Sequence, residues 1–105
     1  MQKWDNQNTR NLITTLLLLK NEAEMKRFLR DLLTENEIIE FGKRWQAAQL
    51  LNETVPYTDI IQKTGLSSTT VARISKWLRH GRGGYRLALK KIHGHHVNVK
   101  SGASP

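Results

Sequence analysis

Between Ser67 and Arg82 the chain sets out four short hydroxyls, Ser67, Ser68, Thr69 and Thr70, and then the cations Arg73, Lys76, Arg79 and Arg82. Those residue types in that order suit hydrogen bonding to base edges and to phosphate oxygens of double-stranded DNA. Short polar side chains let the first turn of a helix approach the bases, while Arg and Lys reach guanine or phosphate from further along. A helix that faced only water would usually mix in Glu, and this stretch has none.

Such side chains act together only if a pair of helices presents them. Residues 57–78, YTDIIQKTGLSSTTVARISKWL, supply the parts of a helix-turn-helix. Ile60 is the buried apolar residue of a short first helix. Gly65 stands where the chain leaves that helix left-handed, a conformation that costs other residues a steric penalty. Leu66 plugs the gap between the helices, and Ser67 is the expected N-cap of the second. Val71 and Ile74 face back to the first helix, followed by Trp77 and Leu78. An ordinary helix pair joined by a glycine turn would show the same core, but not the outward hydroxyls and cations.

Charge supports this division of labour. Net charge is +8, and its distribution is lopsided: through Asp59 there are eight Lys/Arg and all nine Asp/Glu, whereas from Ile60 onward there are nine Lys/Arg and no acid. A balanced half joined to a purely cationic half is the pattern of a polyanion-binding surface.

Upstream, the spacing predicts three helices. Residues 8–20 place Leu12, Ile13, Leu16, Leu17, Leu18 and Leu19 around most of the helix. A surface helix shows one apolar stripe, so this one calls for burial on several sides, and a second copy of the chain would supply it. Residues 22–32 carry the cleaner stripe Met25, Phe28, Leu29 and Leu32. A third helix should open at the capping box Thr34 and Glu37, with Leu33 and Ile38 as its hydrophobic staple. It then carries Ile38, Phe41, Trp45 and Ala48 to about Leu51, before the break at Pro56. Trp45 and Trp77 lie on apolar faces and are expected to be buried, whereas Trp4 precedes the first helix and is left open.

The organisation expected is therefore one all-α domain: dimerisation helices over 1–55, a DNA-reading head over 56–80, a short helix within 81–92 after the joint Gly81, Gly83 and Gly84, and a disordered basic tail over 93–105. The tail's His93, His95 and His96 lack the neighbouring hydrogen-bond partners that hold ligating imidazoles in place, so no metal site is expected. There is no cysteine, no paired carboxylates and no Ser-His-Asp order, and no acid stands near the histidines; catalysis has no visible apparatus. The longest apolar run is Leu16–Leu19, far below the roughly 18 residues that span a bilayer. With no cleavage-site pattern near Asp5, a cytoplasmic protein is expected.

Three stretches, LTENEIIEFGKRWQAAQLL (33–51), the helix-turn-helix and RHGRGGYRLAL (79–89), resemble the Trp repressor family, in particular its small bacterial Trp-repressor-like branch. The resemblance covers roughly residues 10–92. It implies an intertwined all-α homodimer whose two reading heads meet a near-palindromic operator about one DNA turn apart, roughly 34 Å, and hence a transcriptional repressor, with effector control in some members. It also places Thr34, Arg44 and Arg73 where the tryptophan repressor uses a threonine and two arginines around its ligand, with Thr70 near that pocket. The glycine that admits the indole ring there is Ile74 here. L-tryptophan is accordingly disfavoured, leaving another small effector or none. Two other readings fit the basic half: the DNA-recognition subunit of a transposase or phage machine, and a helical module that binds acidic proteins.

Overall fold

The computed structural model describes residues 2–103, with side chains up to residue 94. Among the described residues it holds six helices and no strand: α1 (Gln7–Leu18), α2 (Glu22–Leu32), α3 (Glu35–Asn52), α4 (Tyr57–Thr64), α5 (Ser68–His80) and α6 (Gly84–Ala103). The chain is all-α, as expected, and divides into two units that meet in sequence between Ile39 and Glu40.

In the first unit, side-chain caps set each helix start. The Asn6 side chain accepts the Thr9 N–H at 3.0 Å and opens α1. Asn21 accepts from Glu24 at 2.9 Å, while the Glu24 carboxylate accepts the Lys20 N–H at 2.9 Å, so each satisfies a free amide near the other. Thr34 and Glu37 form the expected capping box: the Glu37 carboxylate accepts the Thr34 N–H at 2.9 Å, and Thr34 Oγ1 accepts the Glu37 N–H at 3.1 Å. Several apolar residues stay uncovered within the single chain, while others are half-buried. Leu17 is 80% exposed and Leu18 70%, and neither α1 nor α2 has a buried residue.

The second unit carries the core. Ala47 and Ala48 on α3, Ile60 on α4, Leu66 in the turn, and Val71 and Ile74 on α5 are all buried. Alanines at 47 and 48 remove side-chain bulk where α3 meets the other helices, allowing close packing. Trp45 is half-buried and stacks on Tyr85 of α6, with ring centroids 6.2 Å apart at an interplanar angle of 17°. Leu89 adds a buried residue from α6.

Three expectations change here. Phe41 shares the stripe of Trp45 and Ala48 yet is 50% exposed, because the packed part of that stripe begins only at Trp45. Trp77 is 49% exposed and not buried. The inward face of α5 runs through Val71, Ile74, Ser75 and half-buried Leu78, a helical stripe that continues through small Ser75 and leaves Trp77 at its edge. The last helix does not stop by residue 92; α6 continues to Ala103, since no proline follows Pro56 until residue 105 and isolated glycines such as Gly94 are tolerated in a helix. The side chains of His95 and His96 lie outside the described residues.

Glycine is required at the joint between α5 and α6. A Cβ on Gly81 would meet the backbone carbonyl of Trp77, and Gly83 has φ +85°. Gly84 faces open space.

Candidate nucleic-acid interface

The turn between α4 and α5 is built from the inside. Thr64, buried at the end of α4, donates its hydroxyl to the Ile60 carbonyl at 2.7 Å and accepts the Leu66 N–H at 3.1 Å. Gly65 adopts φ +77° and donates its N–H to the Ile61 carbonyl at 2.8 Å, closing α4 with a left-handed cap. Leu66 then turns inward to 5% exposure. Ser67 starts α5 by accepting the Thr70 N–H at 3.1 Å, and its hydroxyl donates to Thr70 Oγ1 at 2.9 Å. Every feature read from the sequence of the turn is present.

Opposite the buried stripe, α5 presents Ser68, Thr69, Ala72, Arg73 and Lys76, all exposed. Positions 69, 72, 73 and 76 fall on one helical face, small or hydroxylic toward the N-terminus and cationic further on. The ion pairs among the described residues, Lys26–Glu22, Arg30–Glu35 and Arg44–Glu40, all lie before residue 60. The face of α5 is thus neither hindered by bulk near its start nor neutralised by acid, an arrangement suited to base edges and phosphates.

The other expected contacts have three different settings. Ser67 and Thr70 are occupied with each other at the cap. Arg82 is exposed in the joint, where with Lys76, Trp77, His80 and Tyr85 it lines an open groove of about 620 Å³. Arg79 folds back along α5: its Nη2 donates to Ser75 Oγ at 2.7 Å and to the Tyr57 hydroxyl at 3.5 Å. Sequence reasoning passed over three residues at this end, namely Ser75, Tyr57 and Arg86. Arg86 donates from Nε to the Leu78 carbonyl at 2.9 Å and from Nη2 to the Arg79 carbonyl. Its sequence signal was a cation a few residues beyond a helix end, where carbonyls lack amide partners.

Each candidate effector residue occupies a defined local setting. Thr34, in the first unit, caps α3. In the second unit, Arg44 pairs with Glu40 at 3.3 Å, and Arg73 stands on the exposed face of α5. Ile74, where the resemblance calls for glycine, is 2% exposed within the core. Among the described residues, no three of His, Cys, Asp or Glu gather as a metal site, and no helix is long and apolar enough to cross a membrane.

Comparison with known proteins agrees with this geometry. Residues 7–93 match the family described as Trp repressor protein. The uncharacterized protein YerC of Bacillus subtilis is 36% identical over 81 residues, covering 77% of this chain and 78% of its own. Among solved structures, a TrpR-like protein from Eubacterium eligens superposes with a TM-score of 0.83 at 33% identity, covering 87% of this chain and 94% of that one. A candidate Trp repressor from Staphylococcus aureus gives a TM-score of 0.82 at 30% identity, covering 89% and 95%. The shared helices, the reading-head geometry and the match over residues 7–93 make this chain a member of the Trp repressor family.

Proposed function

We propose that this protein is a sequence-specific DNA-binding transcriptional regulator, a repressor that acts as a homodimer on a near-palindromic operator. The observation that carries the reading is the outward face of α5, where Ser68, Thr69, Arg73 and Lys76 stand exposed on a recognition helix in an acid-free half of the chain. Membership in the Trp repressor family supports it. The uncovered leucines of α1 support the dimer: apolar side chains as exposed as Leu17 and Leu18 gain by being withdrawn from water against a second copy. The burial of Ile74 supports a regulator that does not take L-tryptophan, since the ring's space is filled by a core side chain.

Selection of the purified protein on a randomised duplex pool, at about physiological salt so that the non-specific phosphate contribution is suppressed, tests the reading. The expected result is a two-fold symmetric motif. Enrichment of no motif, with uniformly weak binding, would refute it.

A further inference from the structure

Arg79 and Arg86 form a chain of contacts that links α4, α5 and α6. Tyr57 lies in the first turn of α4, and its hydroxyl receives Arg79 Nη2 at 3.5 Å. Arg79, in the last turn of α5, is held back on Ser75, whose side chain is buried. Arg86, in the first turns of α6, grips the Leu78 and Arg79 carbonyls of that same last turn. Those carbonyls are helix-terminal acceptors without amide partners, at the negative end of the helix dipole, so a guanidinium fits them in both geometry and sign.

Hydrophobic packing secures this end of α5 only in part. The fully buried residues of the helix, Val71, Ile74 and Ser75, all precede its last turn, where Leu78 is half-buried and Trp77 half-exposed. A helix anchored near its middle can tilt about that anchor, and a change of tilt moves the bases that its first turn can reach. Hydrogen bonds from Arg86 add a restraint that ties this end to α6.

We propose that Arg86 is a positioning residue for DNA reading: it sets the tilt of α5 by tying the helix's last carbonyls to α6, and it contacts no phosphate. This rests on α5 being the recognition helix. Arg86 engages two carbonyls with two different nitrogens of one planar group, which an ammonium on a flexible stem does not reproduce. The charge-preserving substitution Arg86→Lys therefore separates the tie from the charge.

The full-length protein and its R86K variant are compared on the selected operator and on a random duplex, each over a series of salt concentrations. R86K is expected to bind the operator roughly tenfold more weakly, the order of effect of a lost charge-assisted hydrogen bond. Its random-duplex affinity and its salt dependence should match the parent, because the number of phosphates neutralised is unchanged. A phosphate-contacting arginine predicts the reverse, near-parental operator binding in R86K, and that result would overturn the proposal. A DNA-free measurement keeps the two readings apart. The Gly81 N–H, which donates to the Trp77 carbonyl at 2.9 Å, should exchange with solvent faster in R86K than in the parent. Unchanged Gly81 exchange overturns the tie whatever the DNA result. Faster exchange in R86K, together with a parent protein that selects no operator, overturns the DNA-reading role and leaves the tie as a structural contact.

Discussion

Thr64 and Leu66 share a hydrogen bond at the hinge of the reading head: the Leu66 backbone N–H donates to Thr64 Oγ1 at 3.1 Å, with both residues buried. The same hydroxyl donates to the Ile60 carbonyl at 2.7 Å, so it satisfies a donor and an acceptor in a place water does not reach. Thr64→Val keeps the shape and removes the oxygen, leaving the Leu66 N–H without its partner. The expected destabilisation is about 1–3 kcal/mol, read as a lower midpoint in urea denaturation with an unchanged slope. A midpoint equal to the parent's would show that the turn does not depend on this bond.

Gly65 has φ +77°, and a Cβ there would make no contact closer than 3.7 Å, to Lys43 Nζ. Backbone strain alone therefore opposes a side chain. Gly65→Ala should cost about 1–2 kcal/mol, the penalty of left-handed backbone for an L-residue, and Gly65→Asn less than that. Thermal melts of the two variants measure the difference; equal melting temperatures for all three proteins would contradict it.

Arg73 and Lys76 are exposed, and neither takes part in an ion pair among the described residues. Arg73→Ala and Lys76→Ala should leave the melting temperature near the parent's. Each should weaken DNA binding and, where the lost cation met a phosphate, lower the slope of log affinity against log salt by about one. A loss confined to particular base positions would instead mark a base contact. Parental affinity in both variants at moderate salt would remove α5 from the interface.

Leu17 is 80% exposed on α1 in the single chain. Leu17→Lys should dissociate the proposed dimer, since a charge buried without a partner in an interface costs several kcal/mol. Sedimentation equilibrium then returns the monomer mass, where the parent gives twice that. A dimer of unchanged affinity in the variant would place the subunit contact elsewhere.

With Ile74 only 2% exposed in the core, millimolar L-tryptophan should change neither the operator affinity nor the melting temperature. A ligand that binds the folded state raises its stability by mass action. A melting temperature that climbs with tryptophan concentration would therefore contradict the assignment of Ile74 as a filler of that space.

The reading head was legible because its signals are local. Gly65, Leu66, Ser67 and the stripe Val71–Ile74 each satisfy a requirement set by immediate neighbours, and the capping box at Thr34 and Glu37 is likewise local. What periodicity missed depends on where a second element lies. Trp77 and Phe41 occupy positions one step from a buried stripe, and only packing decides on which side of the boundary they fall. Ser75 was overlooked since a serine carries no hydrophobic signal, yet it is 5% exposed and receives Arg79. The fold of Arg79 onto its own helix, and the reach of Arg86 to carbonyls seven and eight residues back, are side-chain conformations that spacing does not encode. The continuation of α6 past residue 92 was missed because a run of histidines, glycine and lysine has no apolar period to follow.

The three glycines of the joint are unequal, and a saturation library would rank them. At position 81 any side chain meets the Trp77 carbonyl, a backbone atom that no rotamer change can move, so recovered clones should keep glycine. Position 83 should admit asparagine at some cost, since its φ of +85° lies in the region that residue tolerates best after glycine. Position 84 opens α6 into free space, and there serine, aspartate or alanine should be recovered freely and lower the entropy of the unfolded chain. One glycine thus serves as a fixed hinge pin, while its neighbour three residues on is a vacancy for stabilising variation.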